Sequence, residues 1–472
     1  MFDAIMKFFN SVDDVMYYPI LIIVLAAAGL FFTFRTRFVQ LRLFGTACKL
    51  IVEKPAGEQK VSSFQALMVS TASRVGTGNI VGVSTAICIG GPGACFWMWL
   101  MCVIGASSAF IESTLAQIFK RKGKDGNSYG GPAYYIEKVA KKGWLSMVFC
   151  VFLIATYAFG FNLLCSYNLQ SSFEIYEFYN PTWSPAVIGA VAAIAVAICL
   201  FGGGKRIIGT TEKIVPFMGL GYVLASLIVI FTHAGNIPQT FSVIFQDAFN
   251  FPAIFGGLSG SCMVYGIKRG LYSNEAGVGS APNASASADV THPVKQGLVQ
   301  TISVYIDTIL LCTATALMCL TSGVEYNAEM SGAAYVQNAI STIFGGFGPI
   351  FITIAMVMFA FTTLIGNLYY VDNALIYLNK KKKPSKTFMN IFYIGCVAVI
   401  FLGALIPMDF AWTMADITMG GMTLINIPVC VALSGIAVRA LRDFESQKKK
   451  RLNPHFVARD IGLDESELSF WK

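Results

Sequence analysis

Long apolar runs separated by short polar loops form the pattern of hydrophobic and polar positions along this chain. A helix of about 20 apolar residues crosses the hydrocarbon core of a bilayer. Eleven runs approach or exceed that length: Tyr17–Phe34, Phe64–Ile89, Ala94–Ile118, Trp144–Phe161, Pro185–Phe201, Val215–Thr232, Pro252–Ile267, Gly297–Thr321, Gly348–Leu378, Thr387–Ile406 and Trp412–Val438. The pattern therefore predicts an all-α integral membrane protein with about 11 transmembrane helices.

The second run contains a polar, glycine-rich stretch, Ser73–Val83, and is interrupted within it at Gly76–Asn79. Glycine weakens a helix, and an arginine at the depth of Arg74 is costly. Lipid offers no partners to a broken backbone, so such a break persists only where protein or a polar cavity satisfies it. We therefore predict a binding site for a small charged ligand. The alternative is a point of close helix packing, but packing alone does not require Arg74, Thr77 and Asn79.

The break offers two kinds of backbone group. The stretch Gly76-Thr77-Gly78-Asn79 can expose consecutive N–H groups at the start of a half-helix, where a carboxylate binds well. Carbonyl groups freed at the end of the preceding half-helix, such as that of Val75, suit a bare cation such as sodium. A nucleotide-binding fingerprint is excluded, because the spacing is G-x-G-x-x-x-G and no strand precedes it.

The seventh run, Pro252–Ile267, is short and glycine-interrupted at Gly256–Ser261, five segments after the first break. The segments then divide into an extra helix, two five-helix halves and a cytoplasmic tail, at 17–34, about 64–232, about 252–438 and 439–472. Five crossings in each half make the halves run in opposite directions. Interrupted segments at corresponding positions of inverted halves indicate a transporter binding site.

Composition and charge fit this topology. Of the residues, 55% are hydrophobic and 13% are charged, whereas soluble domains carry about a quarter charged residues. With the amino terminus outside, every Lys and Arg except Lys7 and Arg74 falls in a loop on the cytoplasmic side. We therefore predict a multi-pass plasma-membrane protein with a cytoplasmic carboxy terminus. The net charge of +8 follows from the topology, and the bilayer, not nucleic acid, is the expected partner.

Three further polar residues lie deep in apolar runs. Thr362 and Thr363 could complete an oxygen cage around sodium, or their hydroxyls could bond to carbonyls one turn earlier. Asp307 lies 12 residues beyond Lys295, about 18 Å into its helix. Its carboxylate could bind a cation or a proton, or it could pair with Arg74. The sequence leaves both alternatives open.

An enzyme is not expected. The chain has 3 histidines and neither an H-E-x-x-H nor a G-x-S-x-G motif. A channel is the stronger rival, but channels favour rings of polar groups along a pore. Here the polar positions gather at the breaks, which favours an occluding carrier.

The chain resembles the alanine or glycine:cation symporter family in motifs that run in order from about Phe64 to Tyr370. The motifs are Val75–Ile80, Gly90–Ala94, Phe96–Trp99, Gly130–Ile136, Gly202–Ile207, Arg269–Gly277, His292–Gly297 and Asp307-Thr308. The resemblance implies a leucine-transporter-like fold of 5+5 inverted repeats preceded by one extra helix. It also implies sodium-driven import of small neutral amino acids by alternating access.

The resemblance also assigns residue roles. The substrate carboxylate is expected on the amides of Gly76, Thr77 and Gly78. Sodium is expected on carbonyls of the first broken helix together with the hydroxyls of Thr362 and Thr363. No organic cofactor is expected, since sodium is the coupling ion. A proton-coupled carrier is the alternative, because Asp307 could titrate.

Two positions depart from the family pattern. Many members have Gln where this chain has Cys165 and Trp where it has Asn367. Both positions are expected to face the substrate. An amide in place of a ring adds room and a hydrogen-bonding group, and such sites discriminate strongly between substrates. The hypothesis is a larger polar substrate such as glutamine, with alanine and glycine as alternatives.

Overall fold

The computed structural model describes residues 2–55, 60–123, 128–140, 143–257 and 260–471. The described chain is almost entirely helical, with one short antiparallel pair of strands, β1 (Arg121–Lys122) and β2 (Ser128–Tyr129). The α-helices are α1 Phe2–Val15, α2 Ile22–Arg35, α3 Val39–Arg42, α4 Phe44–Ile51, α5 Ser63–Arg74, α6 Val81–Thr85, α7 Ala94–Ile118, α8 Pro132–Val139, α9 Trp144–Ile154, α10 Phe161–Ser171, α11 Ser184–Leu200, α12 Gly203–Thr232, α13 Ile237–Ala248, α14 Phe251–Gly256, α15 Cys262–Asn274, α16 Ala281–Ser285, α17 Pro293–Val304, α18 Thr313–Thr321, α19 Ala333–Phe344, α20 Phe347–Leu378, α21 Lys386–Gly403 and α22 Met408–Lys449. Wider π-helical turns connect several of them, at Met16–Leu21, Ala86–Gly90, Ala155–Gly160 and Tyr305–Cys312.

Eight of the described helices are long and apolar enough to cross a membrane, and Thr77–Gly90 and Ser184–Leu200 are shorter apolar helices. The prediction of a multi-spanning all-α protein is confirmed. The count of 11 spans stays a prediction, because the two interrupted segments and the continuous helix Ser184–Leu200 are too short to qualify by length.

The first interruption lies where the sequence predicts it. The side chain of Ser62 accepts from the Gln65 N–H and that of Gln65 accepts from the Ser62 N–H, so a capping box starts α5. The helix ends at Arg74, and the backbone of Gly76 is extended (φ −138°, ψ −162°). One 3₁₀ turn, Thr77–Asn79, then leads into α6.

A break does lie at the predicted position Gly256–Ser261, since α14 ends at Gly256 and α15 begins at Cys262, but it lies at the start of this segment. Within that stretch Leu258 and Ser259 lie outside the described residues, and the spanning helix α15 begins only at Cys262. The break inside this segment is Glu275–Ser280, between α15 and α16. Gly277 (φ +89°) and Gly279 (φ +91°) occupy backbone conformations that favour glycine.

The two ends of the bundle differ. At the tail face, residues after α22 contact the end of α7 and the start of α17: Trp471 donates to the Gln117 carbonyl, and Phe456 N–H donates to the Thr291 carbonyl. The predicted tail from residue 439 begins as helix, since α22 continues to Lys449. The opposite end carries α19 and is called the vestibule face.

Candidate functional site

Asn79 organises the first break. Its Oδ1 accepts from the Gly76 N–H at 2.9 Å, and its Nδ2 donates to Asp307 Oδ1 at 2.7 Å. Its own carbonyl accepts from the Thr315 hydroxyl at 2.8 Å. One fully buried side chain therefore closes the turn and ties it to the helix that carries Asp307.

Two amides of the break remain for a ligand. The Gly76 N–H is engaged by Asn79, which differs from the prediction that it binds a carboxylate. Within the described chain no hydrogen bond is found for the N–H groups of Thr77 and Gly78. The Thr77 hydroxyl accepts from Asn168 at 3.1 Å. A Cβ at Gly78 would overlap the ring of Tyr272, so this ring packs directly against the break.

The break also frees a carbonyl. In a continuous helix the Ala72 carbonyl would accept from the Gly76 N–H, but Asn79 takes that donor. The Thr363 hydroxyl lies 3.2 Å from the Ala72 carbonyl and is packed against Gly76. A freed carbonyl and a hydroxyl thus lie together beside the break, where sodium was predicted, and the Val75 carbonyl stays a predicted ligand.

The neighbouring Thr362 faces another way. Its hydroxyl lies 3.0 Å from the Met358 carbonyl and 3.1 Å from the Phe359 carbonyl, and it contacts Met218 Sδ at 3.5 Å. The Thr362 hydroxyl thus bonds to carbonyls one turn earlier in its own helix, which is the alternative to sodium binding that the sequence left open. Its role as a sodium ligand stays a prediction.

Asp307 is completely buried and fully hydrogen-bonded. Besides the bond from Asn79, its Oδ2 accepts from the hydroxyls of Ser273 and Thr308, the latter at 3.1 Å. The residues that touch it belong to both interrupted segments and to its own helix. Asp307 therefore joins the two breaks.

Arg74 lies beside this cluster without a hydrogen-bond partner in the described part of the chain, although its side chain is buried. Its charge acts on three buried carboxyl groups, those of Glu112, Glu275 and Asp307. Glu112 in turn accepts from Asn426 at 2.9 Å. These four charged residues thus lie next to the first break, on its α5 side.

The two positions that depart from the family pattern are both buried beside the break. The Cys165 thiol lies 3.6 Å from the Ala360 carbonyl. Asn367 donates to Asn162 Oδ1 at 3.0 Å and accepts from the Ser73 hydroxyl at 2.7 Å. The structure therefore adds Ser73 and Asn162, which sequence reasoning missed.

An ion pair covers the site on the vestibule face. Arg269 lies 3.1 Å from Asp416, and its guanidinium is stacked 3.6 Å from the ring centre of Trp412. Trp412 packs edge-on against Tyr272 at 5.0 Å, and Tyr272 covers Gly78. Sequence reasoning missed this cover, because it ended the seventh apolar run at Ile267 and placed Lys268 and Arg269 in a cytoplasmic loop, whereas both lie in α15. Asp416, inside an apolar run, was an available signal.

Beyond this cover a cavity of about 260 Å³ opens toward α19. Its lining includes Val81 directly after the break, Tyr167, Glu174 and Gln337. Burial raises the pKa of the Glu174 carboxyl, and hydrogen bonds from Gln170 and Tyr179 oppose the rise. The cavity leads from the vestibule face toward the start of α6.

A family model described as the sodium:alanine symporter family matches residues 2–458. The chain belongs to this family. It is 40% identical to the amino-acid carrier protein AlsT of Bacillus subtilis, with 98% of each chain covered. It is 37% identical to the probable sodium/glutamine symporter GlnT of the same organism, over 97% of this chain and 94% of that one.

The fold of this symporter-family chain also matches a solved structure. MhsT in complex with L-phenylalanine aligns with a TM-score of 0.57 at 14% identity, over 88% of this chain and 94% of that one. At such low identity the match concerns the fold alone, and it supports the leucine-transporter-like fold that the motifs imply.

Proposed function

We propose that this protein is a sodium-coupled symporter that imports small neutral amino acids, of the alanine, glycine or glutamine class, across the plasma membrane. One observation carries the proposal: the break at Gly76 presents two unused amides on one side and the freed Ala72 carbonyl with the Thr363 hydroxyl on the other. An amino acid's carboxylate and a bare cation fit these two groups. The names of AlsT and GlnT agree with this class of substrate.

The sodium ion is assigned to the carbonyls of Ala72 and Val75 and the hydroxyl of Thr363. Thr362, which adjoins Thr363 on α20, and Asp307, which accepts from Asn79 of the break, are retained as further proposed ligands. Ala72, Val75 and Thr363 supply uncharged oxygen atoms, and hard cations prefer oxygen ligands.

Coupling follows from the shared break. Sodium bound to the carbonyl side orders the turn and so raises affinity for the amino acid, and each ligand tightens the other's binding by the same factor. Two inverted five-helix halves, at about 64–232 and 252–438, then rock past each other around the site. In this proposal the vestibule face is extracellular, as are the amino terminus and α19, and the tail face is cytoplasmic.

Uptake of labelled alanine and glutamine into proteoliposomes tests the proposal. A sodium gradient at equal internal and external pH is expected to drive saturable accumulation of at least one of them. Amino-acid accumulation that does not depend on sodium, and that is lost when the proton gradient is removed, would establish the proton-coupled alternative. Ionic currents without saturable amino-acid exchange would establish a channel.

A further inference from the structure

A directed chain of hydrogen bonds runs through the side-chain end of the site. The Ser73 hydroxyl donates to Asn367 Oδ1 at 2.7 Å, and Asn367 Nδ2 donates to Asn162 Oδ1 at 3.0 Å. All three residues are buried. The chain ends on Asn162 Nδ2, which has no hydrogen-bond partner among the described residues.

An unused amide donor in a buried site is costly unless a ligand or water satisfies it. Asn162 lies one helical turn before Cys165 on α10, and it accepts from Asn367 on α20. The unused donor therefore lies where α10 packs against α20, one hydrogen bond away from Asn367 and two from Ser73 at the end of α5. It matches a substrate atom that accepts a hydrogen bond.

Nearby charges restrict that substrate further. Glu275 accepts from the Ser73 hydroxyl at 3.5 Å, so a carboxylate side chain would be repelled. The unpaired guanidinium of the adjacent Arg74 would repel a cationic side chain. A neutral side chain is favoured in this low-dielectric site.

We propose that the site selects neutral amino acids whose side chain carries a carboxamide, with its oxygen accepting from Asn162 Nδ2. The carboxamide N–H groups then face the Cys165 sulfur, a weak acceptor. This inference rests on the proposed function. Asn162 then binds the substrate side chain, and the hydrogen bond from Asn367 fixes the orientation of the Asn162 amide.

The wild-type protein provides the first test, as inhibition of sodium-driven alanine uptake by a panel of amino acids. Glutamine is expected to inhibit at a concentration about tenfold lower than methionine, which has similar length but no amide. Glutamate and lysine are expected to inhibit weakly. Methionine as effective as glutamine overturns the inference and leaves the proposed function standing. Absence of any sodium-driven uptake would overturn the proposed function instead.

A matched pair of variants provides the second test. Asn162→Thr retains a hydroxyl that accepts from Asn367 and donates to a ligand, and Asn162→Val has the same shape without it. The preference for glutamine over alanine is expected to fall about tenfold in N162V and less than about threefold in N162T. Ser166→Ala is the control and should keep the preference. Ser166 lies on α10, as Asn162 does, and its buried hydroxyl donates to the Ile400 carbonyl of α21. Equal losses in N162V and N162T would contradict the inference, as would an unchanged preference in N162V.

Discussion

Thr362 and Thr363 are equivalent in sequence but have different surroundings, because successive helical residues point about 100° apart. Only Thr363 reaches the carbonyl freed by the break, at 3.2 Å from Ala72, whereas Thr362 contacts Met218. Thr363→Val should raise the sodium concentration for half-maximal uptake by about tenfold, as expected for loss of one interaction with a charge. The measurement is alanine uptake against sodium concentration at fixed pH.

Thr362→Val is the matched control for this prediction, since it removes the same hydroxyl one residue away. Its effect on the sodium requirement should stay below about threefold, because its hydroxyl bonds to its own helix. A larger effect in T362V than in T363V would contradict the assignment and make Thr362 the main ligand.

The site residues were predictable where the chain carries the signal locally. Gly76, Thr77, Gly78 and Asn79 interrupt an apolar run, and that anomaly is visible without a structure. Partnerships were not predictable: the Ser73–Asn367 bond joins residues 294 positions apart. No local pattern indicates that Asn79 takes the Gly76 amide or that Asn162 is left with an unused donor, since both depend on how helices pack.

At the scale of elements, the two breaks differ in what surrounds them. The first lies inside an apolar run, so its polar residues stand out. The second, Glu275–Ser280, lies in a stretch from Lys268 to Ala288 that is polar and yet almost entirely buried by other helices. Hydropathy reports contact with lipid, not burial in protein, so it ended the seventh segment too early and favoured the glycines at Gly256–Ser261.

Glycine substitutions test which of the two breaks in this segment is important for transport. A Cβ at Gly277 (φ +89°) would lie 2.6 Å from Ile427, and one at Gly279 (φ +91°) would lie 3.0 Å from Asn426. Gly277→Ala and Gly279→Ala should each destabilise the protein by about 1–2 kcal/mol through backbone strain alone, and both should impair uptake. Thermal unfolding in detergent and alanine uptake are the measurements.

Gly256→Ala is the control, because no described residue has an atom within 4 Å of a Cβ at Gly256. It should unfold and transport like the wild type. A G256A protein as damaged as G277A would mean that the break at Gly256–Ser261 matters as much as the one at Glu275–Ser280.

At the scale of the whole molecule, the residues after α22 hold together loops of the tail face. Phe456 bonds to Thr291, and Asn453 accepts from Lys295 at 2.7 Å. The ring of His292 packs between Phe444 and Phe456, at 5.3 and 5.5 Å. The start of α17, which leads to Asp307, is therefore fixed by the tail.

His292 makes this contact dependent on pH. Its Nδ1 accepts from the Val294 N–H, so its proton is on Nε2, 3.1 Å from Asp443. Burial lowers the pKa of His292 below its ordinary 6.5, while Asp443 opposes that shift and Lys295 and His455 add to it. Release of Phe456 exposes the ring and restores the higher pKa. At a pH between the pKa of His292 in the docked form and its pKa in the released form, the released form binds more protons. The tail is therefore most stably docked above about pH 6.5, and its docking weakens on acidification.

Hydrogen exchange of residues 454–471, corrected for intrinsic rates, measures this docking. Protection in the wild type should fall between pH 7.5 and 5.5. His292→Asn keeps an oxygen that accepts from the Val294 N–H and cannot take up a proton in this range, so its protection should change much less with pH. If the two proteins lost protection alike, the carboxylates of the tail face, and not His292, would be responsible for the pH dependence. A loss confined to the wild type would mean that acidification loosens the start of α17 through one imidazole, because the same ring caps that helix and packs under the tail.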